Sequence, residues 1–149
     1  MKIAIGSDHA GFPYKDPIVA RLKERGIDVI DVGTASTAST DYPIYAFRVA
    51  DAVAAKHADL GVLICGTGIG MSIAANKVQG IRAGAVQSAF AASAVREHND
   101  CNVLCVGSRT NTLPEVLSFV DAWLDATPAT GERHTKRIRM ISDYEGGNK

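Results

Sequence analysis

Cys65 ends an almost wholly apolar run, LGVLIC, and Gly66, Thr67, Gly68, Ile69 and Gly70 follow it before the chain turns helical in character. That order of residue types suits one kind of chemistry. Glycines let backbone N–H groups turn toward a ligand, and a helix start adds partial positive charge. Such groups can hold a developing oxyanion. A sulfur base beside an oxyanion hole is what proton abstraction next to a carbonyl requires. The plainer reading is that Cys65 is a small buried strand residue, as free cysteines often are. Nucleotide binding is disfavoured. A dinucleotide fingerprint needs Gly or Ala where Met71 stands, and the GK[ST] of a phosphate-binding P-loop is absent.

Other candidates flank this loop. Asp8 and His9 leave the first strand together in GSDHAG. The carboxylate could orient an imidazole or bind a hydroxyl, or it could cap the next helix and bond its own loop. His98 and Asn99 follow the fourth helix in REHND. A histidine there is a candidate general acid or base, though His suits any helix C-terminus and Asn suits a left-handed cap. Arg109 follows the fifth strand. Arg133 and Arg137 are spaced i,i+4, so a helix puts both on one face, with His134 beside them. Guanidinium groups grip phosphate in bidentate fashion, although a solvated basic face is the common fate of such a run. Lys136 and Arg139 are read as solvated, and Cys101 and Cys105 as packing residues.

The elements that must position these groups alternate strictly. Strands are expected at 2–6, 27–32, 60–65, 80–86 and 102–107. Helices are expected at about 13–25 (stopped by Gly26), 41–56 with Asp41 as N-cap, 68–76, 88–97 and 113–125. Strand then helix, five times over, means a parallel sheet covered on both faces. The fold class is therefore α/β: a three-layer, Rossmann-like, doubly wound sheet of five parallel strands. Ligands of such sheets sit outside the carboxyl ends of the strands. After Asp125 the composition changes. A tail broken at Pro128 and Gly131 resumes an amphipathic pattern with Ile138, Ile141 and Tyr144, which reads as a C-terminal arm that packs on something. The last four residues, GGNK, are expected to fray. The chain is read as one domain over 1–149, with an α/β core at 1–125 and the arm at 126–149.

Bulk numbers exclude several classes. The chain has 149 residues, 46% hydrophobic and 6% aromatic, enough for an aliphatic core. Its formal net charge of zero draws it toward neither nucleic acid nor an acidic membrane surface. The first apolar run is too short for a secretory leader, and no run approaches the roughly 18 residues of a membrane span. Three cysteines without a CxxC pair argue for free thiols in a reducing cytoplasm and against structural zinc.

The motifs GSDHAG, DYP, CGTGIGMSIAANK, GIRA, REHND, NVL, GSR and GERHTKR stand in this order. Together they resemble the sugar-phosphate isomerase family that holds ribose-5-phosphate isomerase type B and the galactose-6-phosphate isomerase subunits. The resemblance covers about residues 2–141. It implies an aldose–ketose isomerase with no metal or organic cofactor, acting on a small phosphorylated sugar. Cys65 would be the base, moving a proton between C1 and C2 through a cis-enediolate. Gly66, Gly68, Ile69 and Gly70 would cradle the enediolate oxygen, and Thr67 would assist proton movement at the hydroxyls. His98 and Asp8 would open the furanose ring, and Asn99 would hold a hydroxyl. Arg109, Arg133, Arg137, His9 and His134 match phosphate-pocket positions, and Tyr42 would line the site. The resemblance also implies a homodimer, or a dimer of dimers, with each active site drawn from two chains. Relatives without the cysteine use a glutamate in the following helix. Here no acid lies between 66 and 76, which fits the cysteine subgroup. ATGERH is one glycine short of the family pattern, and Tyr14 replaces a more usual aliphatic. Ribose 5-phosphate is the first substrate reading; galactose 6-phosphate, allose 6-phosphate and tetrose phosphates are the others. A non-catalytic sugar-phosphate binder and an inactive partner subunit are the rival classes.

Overall fold

In the computed structural model, which describes residues 1–147, five parallel strands stand in the order β2-β1-β3-β5-β4. They are β1 (Lys2–Ser7), β2 (Asp28–Asp31), β3 (Leu60–Cys65), β4 (Ala83–Ala85) and β5 (Val103–Gly107). The helices are α1 (Phe12–Glu24), α2 (Tyr42–Ala54), α3 (Ile69–Ala75), α4 (Ala89–Asn99), α5 (Leu113–Asp125) and α6 (Glu132–Glu145).

Strand side chains alternate between two cores, as the pleat demands. Ile3, Ile5, Val62, Ile64, Leu104 and Val106 meet Ile18 and Leu22 of α1 and Val116, Phe119 and Trp123 of α5 on one face. Ala4, Leu63, Cys65, Val103 and Cys105 meet Val49 and Val53 of α2 and Met71 of α3 on the other. The parity of β3 therefore commits the Cys65 side chain to the α2/α3 face. Near-continuous apolar strands are what two-sided burial requires, and this is the three-layer doubly wound arrangement expected.

Differences from the expected elements have local causes. β4 begins at Ala83 rather than 80, because side chains take the backbone groups a ladder would use. Asn102 Oδ1 accepts from the Arg82 N–H at 2.8 Å, while Asn76 pairs with both Ala83 N and Ala83 O at 2.8 and 2.9 Å. β2 is trimmed to Asp28–Asp31 and α2 stops at Ala54, ahead of Lys56 at φ +61. Asp41 holds the N-cap position, but its side chain makes no capping bond. α4 runs on through His98 and Asn99, so the left-handed cap is Asp100 at φ +47 and not Asn99. The arm is a helix of 14 residues, none of them buried. Gly146 and Gly147 turn off its end by backbone bonds to Ser142 O and Tyr144 O; Asn148 and Lys149 of the GGNK expected to fray lie outside the described residues.

Candidate active site

Because the strands are parallel, the loops after β1, β3 and β5 share one sheet edge. Cys65 is the last residue of β3, opposite Gly107 of β5, and only 6% exposed. Three residues on, Gly68 sits at φ +77, where a side chain is strained. That turn swings the Gly68 N–H back onto Cys65 Sγ at 3.1 Å, a donor placed to face a sulfur anion. The Ile69 N–H donates to Thr67 Oγ1 at 3.3 Å. Two of the expected cradle donors are thus engaged inside the loop, one on the sulfur itself. A Cβ on Gly70 would stand 2.8 Å from the Tyr42 ring, so glycine there lets the tyrosine close over the loop.

Arg109 reaches the same place from β5. Its N–H donates to Gly66 O at 2.9 Å and its side chain passes over Gly66. From β1, Asp8 is buried, and its Oδ1 accepts from the Ala10 and Gly11 N–H groups at 2.9 and 3.0 Å. The loop-bonding reading of Asp8 therefore holds for Oδ1. Among the described residues nothing donates to Oδ2. His9 is half-buried, with Nδ1 at 3.2 Å from both the carbonyl and the N–H of Thr40.

Several supporting residues escaped the sequence reading. Ser108 Oγ donates to Ala10 O at 2.7 Å, and its N–H donates to Cys65 O at 2.9 Å, so it ties the Asp8 loop to the Cys65 loop. Lys15 is buried, donates to Thr34 O at 2.7 Å and pairs with Asp31 at 2.8 Å, which pins the 33–40 segment. Thr40 Oγ1 meets the buried Tyr45 hydroxyl at 3.0 Å; that bond, with a second from Thr34, holds Tyr45 below the usual phenol range. The one available signal was Lys15 itself, a cation in the buried helical row Lys15, Ile18, Leu22.

The remaining candidates gather elsewhere. The His98 and His134 rings stack with centroids 4.5 Å apart and planes 6° apart, which docks α6 on the end of α4. Arg133 Nη2 lies 3.4 Å from His134 Nε2, and Arg133 and Arg137 are exposed on α6. Partial desolvation first, then the charges of His98, Arg133 and Arg137, hold His134 below the usual imidazole range. Asn99 completes the group on the last turn of α4.

These two groups occupy opposite edges of the sheet. A helix after a parallel strand runs back, so α4 ends where β5 begins. Arg82 and Asn102, bonded to each other beside the α4 terminus, precede β4 and β5. Cys65 lies level with the far end of β5. Four residue steps from Val103 to Gly107 amount to about 13 Å. Within one chain, Cys65, Gly66, Thr67, Gly68, Ile69, Gly70, Asp8, His9, Tyr42 and Arg109 come together; His98, Asn99, Arg133, His134 and Arg137 form the second group.

Cys101 and Cys105 are core residues. Burial pushes the Cys101 thiol up to about 11 and the Cys105 thiol well above its ordinary value. Among the described residues no three His, Cys, Asp or Glu side chains could hold a metal ion, and no helix is long and apolar enough to cross a membrane.

Residues 3–141 match the protein family described as Ribose/Galactose Isomerase. Ribose-5-phosphate isomerase B of Escherichia coli K12 is 53% identical over 144 residues, 97% of this chain and 96% of its own. The structure of ribose-5-phosphate isomerase B from Clostridium thermocellum superposes with a TM-score of 0.96 at 47% identity, covering 100% of both chains. That of the Mycoplasma genitalium enzyme with bound ribulose-5-phosphate gives 0.92 at 44% identity, over 97% of this chain and 96% of its own.

Proposed function

The chain belongs to the Ribose/Galactose Isomerase family, and on that premise we propose that it interconverts ribose 5-phosphate and ribulose 5-phosphate using protein groups alone. The observation that carries this reading is the Cys65 sulfur at the carboxyl edge, faced by the Gly68 N–H at 3.1 Å, with the Arg109 side chain over the adjoining Gly66. In the open-chain aldose the thiolate takes the C2 proton. The electron pair moves into a cis-enediolate, and the thiol returns the proton to C1. The reverse reaction starts at C1 of the ketose. Charge on the enediolate oxygen is met by N–H groups of the Gly66–Gly70 loop, and Thr67 passes the hydroxyl proton between O1 and O2. The Gly68 N–H faces the sulfur at 3.1 Å in the loop as it stands.

The site works as a pair of chains. His98 of a second copy, across the sugar from Asp8, moves the protons that open the furanose ring, while Asn99 holds a hydroxyl. Arg133, His134 and Arg137 of that copy join His9 and Arg109 around the phosphate. Supporting this is the separation of the two groups by the height of the sheet, together with an arm helix, α6, that buries none of its own residues. We read 1–125 as the catalytic core and the segment after Asp125 as the arm that serves the neighbour.

Mixing the protein with ribose 5-phosphate should yield a ketose phosphate. Cys65→Ala should lose at least about a hundredfold in turnover, the range of a positioned base, while still binding the sugar phosphate by calorimetry. Wild-type rates in that variant would remove Cys65 as the base. Ranking kcat/KM over four-, five- and six-carbon aldose phosphates identifies the substrate.

A further inference from the structure

The C-terminus of α4 carries a clamp that the chemistry above does not use. Asp100 follows Asn99 at φ +47, a left-handed conformation that Asp and Asn tolerate better than other side-chain-bearing residues. Its two carboxylate oxygens are divided between two cations: Arg82 Nη2 donates to Oδ2 at 2.9 Å, and Arg96 Nη1 donates to Oδ1 at 2.9 Å. The same guanidinium groups collect carbonyls around the helix end. Arg82 Nε donates to Asn99 O at 3.0 Å and Asp100 O at 3.1 Å, its Nη2 donates to Asp100 O at 2.9 Å, and Arg96 Nη1 donates to Cys101 O at 3.0 Å. Helix ends leave such carbonyls without partners. Here Arg82, on the approach to β4, and Arg96, from within α4, supply charged donors for them. The three side chains are 23%, 15% and 35% exposed, so solvent screens the pairs only in part.

His98 stands two residues before Asp100. Among the described residues its ring has no hydrogen bond, only the stack on His134. Its position is therefore set by the backbone of the last turn of α4, which the clamp holds. We propose that Asp100, gripped by Arg82 and Arg96, is a positioning residue for ring opening: it fixes the turn that aims the His98 imidazole at the sugar. This rests on the ring-opening role proposed for His98 and on ribose 5-phosphate as substrate.

The test separates ring opening from proton abstraction. Ribulose 5-phosphate cannot close to a furanose, because the hydroxyl needed is phosphorylated. Deuterium uptake from D2O at its C1, measured at saturating ketose so that a weaker hydroxyl or phosphate grip does not limit it, therefore needs Cys65 and its loop but no ring opening. In Asp100→Gly the left-handed φ is free of strain, so the full chain should fold with a near-native melting temperature. Its kcat for ribose 5-phosphate should fall by about tenfold to a hundredfold, the cost of an ångström-scale misplacement, while C1 deuterium uptake stays at the wild-type rate. D100N, which keeps an acceptor on one guanidinium, should fall in between. Loss of both rates together, or of neither, would overturn the positioning role. Wild-type protein that neither converts ribose 5-phosphate nor exchanges ribulose 5-phosphate would sink the underlying assignment instead, and a Cys65→Ala control that still exchanges would remove only the base.

Discussion

Two crippled variants should repair each other. Cys65→Ala removes the group at the carboxyl edge of β3, and His98→Ala removes the group at the end of α4. The two positions are separated by about 13 Å of strand, so one chain cannot bring both to the same sugar. Each variant alone should lose at least about a hundredfold in turnover. In a symmetric dimer holding one chain of each kind, both lesions fall in one site. The other site takes Cys65 from the His98→Ala chain and His98 from the Cys65→Ala chain, and is whole. Random mixing makes half the dimers mixed, and half the sites in those are intact. The refolded equimolar mixture should therefore regain about a quarter of wild-type activity. The assay is ketose formation from ribose 5-phosphate before and after subunit exchange. Activity no higher than the sum of the two separate variants would refute the shared site, and with it the role given to the arm.

Two smaller predictions follow from individual side chains. Native protein treated with iodoacetamide should be alkylated first at Cys65, with protection by substrate, while Cys101 and Cys105 react only on unfolding, because burial raises both thiols far above neutral pH; mass spectrometry of the labelled peptides decides. The His134 ring should titrate below about 6.5 by NMR and move up in His98→Ala, and since its folded pKa is depressed, the stack on α4 is held fully above that pH and weakens as pH falls below it; a midpoint unmoved by the His98 change would show that the neighbouring ring does not bear on it.

What could be read from the residues, and what could not, divides along a physical line. β3 at Leu60–Cys65 and α5 at Leu113–Asp125 fall where expected, because a doubly buried strand and an amphipathic helix write their burial directly into residue type. The carboxyl-edge group was legible for the same reason: once the sheet is parallel, the loops after β1, β3 and β5 must share an edge. β4 was overdrawn because Asn76 and Asn102 cap it with side-chain amides, which no periodicity reveals. Ser108 bonds a carbonyl 98 residues away in sequence, and Lys15 and Arg82 act on backbone atoms 17 to 19 residues away. Such bonds depend on where the chain returns, so local pattern marks at most a cation in a buried row, as at Lys15, and never its partner.

The split of the candidate site into two groups is a consequence of the fold rather than an accident of it. A βα unit offers its loops at one edge and its helix C-termini at the other. The loops supply turned N–H groups, which suit a developing anion. The helix C-termini gather carbonyls, which suit cations such as Arg96 and His98 in the last turn of α4. An isomerase of a cyclic sugar phosphate needs both kinds of environment on one small ligand. Among the described residues the strands form one sheet, with no second sheet to bend one edge onto the other. The proposed docking of a second copy would solve the geometry, and it would cover the apolar part of α6 where Met140 and Ile141 are more than half exposed. On that argument the proposed chemistry and the proposed pairing share one origin. A variant that keeps chains apart should lose ring opening and phosphate grip first, before the Cys65 loop loses its shape.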